Sequence, residues 1–487
     1  MRNAHTVEKV RSAEHALMAG VPDGALMQRA AAGLAAVCAS LLGRVYGARV
    51  VVLAGSGDNG GDALFAGERL AGRGARVEAV LTAARHHEEG LAALRRAGGR
   101  VTGDLAAIDD ADLIIDGMLG IGGRGGLRAE QAEYAERASG APGTVVAVDL
   151  PSGIDADTGR VDGPAVAADV TVTFGTYKPG LFVDPAAGRV GVLERVDIGL
   201  GPYLADPDVV AFQGADVARL LPYRAAESDK YRSGVLGLVA GGPVFTGAAV
   251  LACGGAVRGG AGMVRFASVA PAVDHVRSAW PEAVTTVVRP GSGKDVLAAG
   301  RVQAWAVGPG IGTGEDAAAV LGAVLGTDVP VLVDADGLTV LAENRELLEG
   351  RRAPTVLTPH AGELVRLLGD GADRADVEAA RLEHVRRAAR DLGCVVLLKG
   401  STTLVAEPGG AVRANATGTP RLATAGTGDV LTGLIGALLA GGMAAADAAT
   451  AGAYLHGLAG RLASEGAPIG AHDVVTALPE AFRSLDG

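Results

Sequence analysis

The sequence predicts an α/β protein with two domains, each built around its own sheet. The chain has 487 residues, which is too long for a single ordinary core. Short apolar runs alternate with helical patterns, as in parallel sheets that helices cover on both faces. This alternation weakens over residues 200–234 and restarts at 235, so a domain boundary lies there. We expect domains over 1–215 and 234–487, joined by a linker over 216–233.

The composition indicates cores with few aromatic side chains. It also indicates loops in which the backbone makes close contacts. Apolar residues make up 49% of the chain and aromatic residues only 3%, so Val, Leu, Ile and Ala must fill the cores. The 75 glycines follow no collagen-like period and cluster where strands are expected to end. Loops in which the backbone approaches a neighbour or a ligand closely explain this distribution.

Charge and cysteine usage argue against several partners. A formal net charge of −11 disfavours nucleic acid and anionic membranes, because both need a basic face. Cys38, Cys253 and Cys394 have neither disulfide nor metal-ligand spacing, which is typical of a reducing cytoplasm. The N-terminus lacks the apolar core of a signal peptide, and we expect no membrane span. We therefore expect a cytoplasmic protein.

The first half alternates strands and helices in the manner of a doubly wound sheet. A helical lead-in covers residues 1–40, and helices are expected at 62–74 and 129–139. Strands are expected at 48–55, 76–82, 112–120, 143–153, 169–175 and 189–199.

The second half repeats this style without repeating the sequence. Strands are expected at 235–242, 262–269, 302–310, 330–337, 354–360 and 394–401. A long helical tail is expected from about residue 428 to the end. Both halves are therefore predicted to be α/β, each with its own sheet.

Residues 55–64, GSGDNGGDAL, form a glycine-rich stretch between an expected strand and an expected helix. Ligands bind to parallel sheets at such strand ends, where glycines permit close approach and the helix presents free amides. The spacing matches neither the dinucleotide pattern G-x-G-x-x-G nor a P-loop, so we expect an anion site of another kind. A tight turn without a ligand is the alternative.

Charged residues follow three other strands of the first half. Asp116 ends LIID, Asp149 ends VVAVD, and Lys178 stands in TFGTYKPG. A doubly wound sheet gathers such strand ends in one crevice, so we expect a common site. Each aspartate has a helix cap or turn as its alternative role, and Lys178 has a surface or loop position.

These strings carry a resemblance. LAGSGDNGGDALFAGERL, IIDGMLGIGGRGG, VVAVDLPSGIDADTG and TFGTYKPG together resemble the NAD(P)HX epimerase domain, over about residues 1–215. The resemblance implies a Rossmann-like, doubly wound parallel sheet that interconverts R and S forms of hydrated NADH or NADPH. It implies a potassium ion bound by Asn59, Asp116 and Ser152. The implied substrate contacts are Asp58, Asn59, Gly60, Gly61, Asp62, Gly120, Ile121, Gly122, Gly123, Arg124, Gly125, Gly126 and Asp149.

Epimer exchange needs cleavage and re-addition of the hydroxyl at C6, and hence an acid and a base near that carbon. Asp149 is the first candidate and Lys178 the second. The sequence departs from the family's usual NNGGDG string at Asp58 and Ala63. Because Asp58 adds negative charge near a phosphate-bearing ligand, we expect it to weaken binding, whereas Ala63 should matter less.

A second glycine-rich stretch, ATAGTGDVLTG at 423–433, opens the helical tail. Gly426 and Gly428 leave backbone amides at the helix N-terminus available to an anion, and Asp429 stands in the first turn. That arrangement suits phosphoryl transfer, because the carboxylate can accept a hydroxyl proton while amides hold the phosphate. A core helix whose Asp429 only complements the dipole is the alternative.

Strand ends upstream add further polar groups. Lys399 opens the stretch KGSTT, His360 and Glu363 stand in LTPHAGE, and VGPGIG gives another glycine turn. Together with DKYRSGVLGLVAGGPVFTGAAVLA, GAGMVRF and VLVDADGL, these strings resemble the ADP- or ATP-dependent NAD(P)HX dehydratase. That enzyme is a member of the ribokinase-like superfamily, and the resemblance spans about residues 225–487.

The resemblance implies two sets of contacts in the second half. The hydrated dinucleotide would be contacted by Ala249, Gly312, His360 and Asp429. ADP would be held by Lys399, Gly400, Ser401, Thr402, Thr403 and Gly428. Glu363 would help to arrange metal, with magnesium expected, and phosphate. Arg421 and Leu422 replace the family's Gly-Met pair, which changes the neighbouring contact.

The implied reaction is phosphorylation of the C6 hydroxyl by ADP, with Asp429 as base, followed by loss of phosphate. The function predicted is therefore bifunctional repair of hydrated NAD(P)H, by an isomerase fused to a lyase, in a homo-oligomer. Two alternatives stay open: a ribokinase-like kinase for a small alcohol fused to a dinucleotide-binding domain, and a non-catalytic dinucleotide-binding protein. Asp429 between intact glycines argues against the last alternative for the second half.

Overall fold

The computed structural model describes residues 1–123, 125–221, 234–369 and 371–485. The chain forms two compact units, Arg2–Val209 and Val210–Gly487, the second of which also takes in Met1. The division precedes the expected domain end at 215, because the strand Val209–Ala211 already belongs to the second sheet. Gly214–Leu220 form a helix where the expected linker begins, and residues 222–233 of that linker lie outside the described residues.

The N-terminal unit contains eight strands and six helices within its described residues. The strands are β1 Arg2–Ala4, β2 Arg49–Ala54, β3 Arg76–Leu81, β4 Arg100–Val101, β5 Leu113–Gly117, β6 Thr144–Val148, β7 Val170–Phe174 and β8 Val192–Val196. The helices are α1 Val7–Met18, α2 Ala25–Leu42, α3 Asp58–Gly72, α4 Glu88–Arg96, α5 Ala106–Asp109 and α6 Ala129–Gly140.

Seven of these strands form one parallel sheet in the order β4-β3-β2-β5-β6-β7-β8. Helices α1 to α4 pack on one face and α5 and α6 on the other, so the sheet is doubly wound as predicted. Successive strands are added outward to one side from β2 to β4 and to the other side from β5 to β8, so the strand order reverses between β2 and β5. Ligands of open α/β sheets bind at such a switch point, and the loop after β2 is the first glycine-rich stretch.

Helix α2 is apolar because one of its faces packs in the core of the N-terminal unit. It is the one helix within the described residues that is long and apolar enough to cross a membrane by length and composition. Ala31, Leu34 and Cys38 from this helix are fully buried in the core against the sheet. Arg29 donates a 2.8 Å hydrogen bond to the Ile198 carbonyl, so the polar positions of this helix also have structural roles.

The C-terminal unit continues the numbering of both element types. Its strands are β9 Val209–Ala211, β10 Val235–Val239, β11 Met263–Ser268, β12 Val284–Val287, β13 Ala304–Val307, β14 Val331–Val333, β15 Thr355–Leu357, β16 Val395–Leu398, β17 Thr403–Ala406 and β18 Val412–Asn415. Its helices are α7 Gly214–Leu220, α8 Thr246–Arg258, α9 Ala270–Ala279, α10 Gly293–Leu297, α11 Glu315–Leu325, α12 Asp336–Glu343, α13 Ala361–Leu368, α14 Arg374–Ala379, α15 Arg381–Leu392, α16 Thr427–Ala440, α17 Ala445–Ser464 and α18 Ala471–Arg483.

These strands follow the order β9-β18-β17-β16-β15-β14-β13-β10-β11-β12. Pairs from β16 to β12 along this order are parallel, whereas β16–β17 and β17–β18 are antiparallel. Helix α16 is buried against α8, and a Cβ on Gly433 would lie 1.9 Å from the Ala252 carbonyl oxygen. This glycine therefore allows two core helices to touch through their backbones.

Candidate functional site

The first glycine-rich stretch is mostly the start of a helix. Helix α3 begins at Asp58 rather than at the expected residue 62, so only Gly55–Gly57 form the turn after β2. A Cβ on Gly55 would lie 1.9 Å from the Met118 carbonyl oxygen, and one on Gly60 would lie 2.2 Å from the Gly55 oxygen. These two glycines are therefore required by the backbone packing itself.

Asn59, Asp116 and Ser152 come together around the turn that follows β5. Ser152 Oγ donates to Asp116 Oδ1 at 2.6 Å, and Asn59 Nδ2 donates to the carbonyls of Val148 and Leu119 at 2.6 and 3.4 Å. The Leu119 amide donates to Ser152 Oγ at 2.9 Å, which joins the three side chains through one backbone segment. Asp116 is fully buried, and burial raises the pKa of its carboxyl to about 6.

Asp149 and Lys178 form a buried ion pair. Lys178 Nζ contacts Asp149 Oδ1 and also donates to Thr173 Oγ1 at 3.1 Å. Asp149 has a φ of 67°, a strained left-handed conformation that directs its carboxylate to Thr173 Oγ1 at 3.0 Å and the Phe174 amide at 3.2 Å. Lys178 is 1% exposed, so the alternative that places it on the surface is wrong.

A pocket of about 270 Å³ opens between the lead-in helices and the start of α3. Glu14, Asp58 and Asp62 line it, together with Phe174. Asp58 is exposed, whereas Asp62 is 7% exposed. Glu14 from α1 is a pocket residue that the sequence reasoning missed, since nothing in its local pattern distinguishes it from a solvated helix residue.

The predicted glycine-rich substrate segment 120–126 faces a second, narrower pocket. Gly120, Gly123, Gly125 and Gly126 line it, together with Asp155, Arg160 and Asp162. Ile121 and Gly122 belong to the same turn but do not line the pocket, and Arg124 lies outside the described residues.

In the C-terminal unit, Asp429 lies half-buried in the first turn of α16. Gly426 takes a φ of 88° ahead of the helix, which leaves the first amides of the helix free. Burial first, and the negative charge of Asp334 second, raise the pKa of Asp429 to about 7 against the opposing charge of Lys399. A carboxyl with such a pKa is suited to general-base work near neutral pH.

Asp334, from the loop after β14, connects two of the predicted groups. It is 1% exposed and accepts hydrogen bonds from Lys399 Nζ at 2.8 Å and Thr432 Oγ1 at 2.5 Å. Lys399 Nζ also lies 3.6 Å from Glu363 Oε2. The sequence reasoning missed Asp334, although it ends a strand in VDAD as Asp116 and Asp149 do.

A cavity of about 620 Å³ lies beside these groups. Of the residues predicted to hold ADP, Lys399, Gly400, Ser401, Thr403 and Gly428 line it, as does His360. Thr402 is buried and does not line the cavity. The structure thus brings the KGSTT loop and the glycine-rich stretch at 423–433, which two strands separate in sequence, to one cavity.

Arg381 supports the KGSTT loop from behind and was not expected from the sequence. It is 1% exposed, and its Nη2 donates to the carbonyls of Leu398, Lys399 and Thr402 at 3.3, 2.9 and 3.4 Å. Nη1 of Arg381 forms an ion pair with Glu378 Oε2 at 2.5 Å. Arg381 thus holds three carbonyl groups of this loop in place.

His360, Gly312 and Ala249 are placed very differently. His360 caps α13: its Nδ1 accepts from the Glu363 amide at 3.2 Å, while its own amide donates to Glu363 Oε2 at 2.8 Å. Gly312 is exposed, and its amide donates to Asp336 Oδ2 at 2.9 Å. Ala249 is fully buried against Gly241, so its expected contact with the dinucleotide stays a prediction.

Comparisons with known families match both units. Residues 236–480 match the family model described as NAD(P)H-hydrate dehydratase, and residues 23–180 match the model described as YjeF-related protein N-terminus. The bifunctional NAD(P)H-hydrate repair enzyme of Mycobacterium tuberculosis is 48% identical over 456 residues, which cover 92% of this chain and 91% of that one. Its counterpart in Mycobacterium leprae is 47% identical, with 95% and 94% covered.

Solved structures agree with this for the C-terminal unit. The ADP/ATP-dependent NAD(P)H-hydrate dehydratase from Bacillus subtilis, co-crystallised with ATP and Mg²⁺, is 31% identical with a TM-score of 0.50. The match covers 56% of this chain and 97% of that one. A ribokinase-like superfamily protein from Enterococcus faecalis, 23% identical with a TM-score of 0.51, shares the fold.

Proposed function

The chain belongs to the family of bifunctional NAD(P)H-hydrate repair enzymes, and we propose on this premise that each unit performs one of two reactions. The N-terminal unit interconverts the R and S epimers of hydrated NADH and NADPH. The C-terminal unit dehydrates the S epimer to NAD(P)H with ADP as co-substrate. One observation carries the proposal: Asp429, a half-buried base, stands at a helix start beside the cavity of the KGSTT loop.

In the N-terminal unit, we propose Asp149 as the base. Its buried carboxylate is paired with Lys178 and accepts a hydrogen bond from Thr173 Oγ1. Inversion at C6 requires departure of one oxygen as water and addition of another water to the opposite face. Asp149 accepts the proton of the entering water, and Lys178 holds the carboxylate in place.

We propose that the cluster of Asn59, Asp116 and Ser152 holds a potassium ion. Its donors are carboxylate, amide and hydroxyl oxygens with nearby backbone carbonyls, which suit a hard cation. Asp116 is fully buried, and no basic side chain of the described ranges forms an ion pair with it. A bound cation supplies the missing positive charge and orders the turn after β5.

In the C-terminal unit, the proposed reaction has two steps that balance. Asp429 accepts the proton of the C6 hydroxyl, whose oxygen attacks the β-phosphorus of ADP, and the bond from that phosphorus to the bridging oxygen breaks to release AMP. The C6–O bond of the phosphorylated dinucleotide then breaks with its electron pair, releasing phosphate. The departing phosphate takes a proton from C5, and the C5–H electron pair forms the C5–C6 double bond of NAD(P)H.

Several groups of the same cavity divide the work of holding ADP. Lys399 and the amides after it face the phosphates, and Arg381 fixes the carbonyls of the same loop. We propose that magnesium accompanies the nucleotide, with Glu363 as a carboxylate that helps to arrange it; Glu363 Oε2 lies 3.6 Å from Lys399 Nζ. We further propose that the enzyme is cytoplasmic and a homo-oligomer.

The direct test supplies purified NADHX as a mixture of epimers and follows the return of NADH absorbance. The proposal predicts complete conversion with ADP and none without a nucleotide. Conversion that stops at the S fraction would remove the epimerase assignment. Failure of both nucleotides, ADP and ATP, to support conversion would instead favour a ribokinase-like kinase for another alcohol.

A further inference from the structure

The pocket between the lead-in helices and α3 has a composition unlike that of a phosphate site. Its apolar wall comes mostly from the chain before β2 and comprises Met18, Pro22, Leu26, Met27, Ala30, Phe174 and Ile198. Its polar groups are all acidic, namely Glu14, Asp23, Asp58 and Asp62. A phosphate would be repelled by this pocket, whereas a flat, weakly polar ring that develops positive charge would be stabilised in it.

Among the acidic residues that line this pocket, Asp62 is the one with a buried oxygen that lacks a hydrogen-bond partner within the described part of the chain. It is 7% exposed, and its Oδ1 is buried with no hydrogen-bond partner among the described residues. Burial of a charged oxygen without a hydrogen-bond partner is costly, so this position favours the neutral, protonated form of the carboxyl group. Asp149 provides the contrast, since Lys178 and Thr173 satisfy its charge.

The surroundings of Asp62 act in the same direction. Burial raises the pKa of Asp62 well above its ordinary value, and the negative charges of Asp149, Asp58 and Glu14 raise it further. The acidic groups that line the pocket are Glu14 on α1, Asp23 before α2, and Asp58 and Asp62 on α3, and Asp149 after β6 lies near them. The cations that act on Glu14 are Arg11 on α1 and Lys178 after β7, and the Lys178 ammonium is already paired with Asp149.

We propose that this pocket holds the hydrated nicotinamide ring and that Asp62 is the catalytic acid that protonates its C6 hydroxyl. The inference rests on the proposed epimerase function and assigns the reactive end of the substrate to the pocket. The phosphates would then lie toward the glycine-rich turn after β5.

The step balances with the two carboxyl groups alone. The Asp62 carboxyl gives its proton to the C6 hydroxyl, and the C6–O bond breaks with its electron pair to release water. The N1 lone pair forms an N1=C6 bond, which leaves a cationic ring facing the carboxylates of the pocket. Water then adds to the other face of C6, the N1=C6 π pair returns to N1, and Asp149 accepts the proton of the water.

The forward and reverse reactions use the same two carboxyl groups with their acid and base roles exchanged. In the reverse direction Asp149 is the acid and Asp62 the base, as two groups on opposite faces of one carbon require. Between turnovers solvent returns the proton from Asp149 to Asp62. Each epimerisation therefore exchanges the C6 oxygen with solvent.

The test uses Asp62→Asn in the full chain, with Asp62→Glu as the conservative partner. We expect Asp62→Asn to lower kcat of epimerisation by about 100-fold or more, with a smaller change in KM, because loss of a general acid acts on the transition state. Asp62→Glu should recover part of that rate. ADP-dependent dehydration of pure S epimer in the same sample reports on the C-terminal unit, and urea unfolding followed by circular dichroism reports whether the N-terminal unit, which holds Asp62, is folded.

A second measurement applies to the wild type and needs no variant. Incorporation of ¹⁸O from labelled water into the C6 hydroxyl should accompany epimerisation, and its rate should fall at alkaline pH as Asp62 loses its proton. The inference is overturned if Asp62→Asn epimerises at the wild-type rate, or if R and S interconvert without label uptake. A wild-type protein that dehydrates the S form but never consumes the R form would instead overturn the epimerase function.

Discussion

Lys399 and Asp334 form an ion pair of 2.8 Å at the start of helix α16. A Cβ on Gly428 would lie 3.7 Å from Lys399 Nζ and 4.0 Å from Asp334 Oδ2, so this glycine of the cavity wall lies directly beside the pair. The pair also sets the protonation of Asp429, because Asp334 raises the pKa of that carboxyl and Lys399 lowers it. The residue proposed to bind phosphate and the proposed base are thus electrostatically coupled.

The first prediction concerns the pH dependence of dehydration. Because a general base must be ionised, kcat/KM for the S epimer should fall as the pH falls through about 7, the pKa of Asp429. Asp334→Asn removes the charge that raises this pKa and should move the acid limb to lower pH. The measurement is a pH–rate profile of ADP-dependent NADH formation for both proteins. If the acid limb of the profile were unchanged in Asp334→Asn, ionisation of Asp429 would not be its cause.

The second prediction concerns Arg381. Arg381→Lys cannot reach the three carbonyls that the guanidinium serves, so the KGSTT loop should lose its fixed orientation. We expect KM for ADP to rise about tenfold, the equivalent of about 1.4 kcal/mol, with a smaller change in kcat. Arg390→Lys on the exposed side of the same helix is the matched control. Equal KM values for the two variants would remove the role assigned to Arg381.

A third prediction addresses the departure at Asp58. This exposed carboxylate stands in the first turn of α3 at the pocket proposed for the ring, and its charge also acts on the phosphates of the same dinucleotide, which we place toward the turn after β5. Asp58→Asn should lower KM for the hydrated dinucleotide in epimerisation by about two- to fivefold at low ionic strength. The gain should shrink in high salt, because screening weakens exposed charges. A gain that salt leaves unchanged would point to contacts rather than charge.

The buried pair of Lys178 and Asp149 leads to a fourth prediction. Lys178→Met leaves a buried carboxylate without its cation and should destabilise the N-terminal unit by about 3–5 kcal/mol. Lys178→Met with Asp149→Asn removes both charges and should recover much of that loss. Trp280 and Trp305 are the two tryptophans and both lie in the C-terminal unit. Urea unfolding seen by circular dichroism but not by tryptophan fluorescence therefore reports on the N-terminal unit.

Most of the fold could be predicted from the sequence because its strands are short, buried and apolar on both faces. The expected strand at 76–82 is observed as Arg76–Leu81, and that at 394–401 as Val395–Leu398. The antiparallel strands Thr403–Ala406 and Val412–Asn415 were not expected, since glycine, proline and charged residues interrupt their pattern. Helix α3 starts earlier than expected because Gly60 and Gly61 are selected for packing at the helix start, not for a loop.

The candidate sites show the same limits. Strand-end residues such as Asp116 and Asp149 follow from a topological rule and can be read from the chain. Arg381 and Glu14 cannot, because their roles depend on which helix face meets a site far away in sequence. Burial also reversed the expectation for Lys178: a lysine before proline is usually solvated, but the charge of Asp149 stabilises it inside the core.

The most direct test of the account compares Asp149→Asn with Asp429→Asn on mixed NADHX epimers and ADP, with R, S and NADH separated by chromatography. The account predicts that Asp149→Asn converts the S fraction to NADH and leaves the R fraction. It predicts that Asp429→Asn still interconverts R and S while NADH formation falls by about 100-fold or more. Consumption of R by the first variant, or NADH formation at the wild-type rate by the second, would contradict the division of the two reactions between the units.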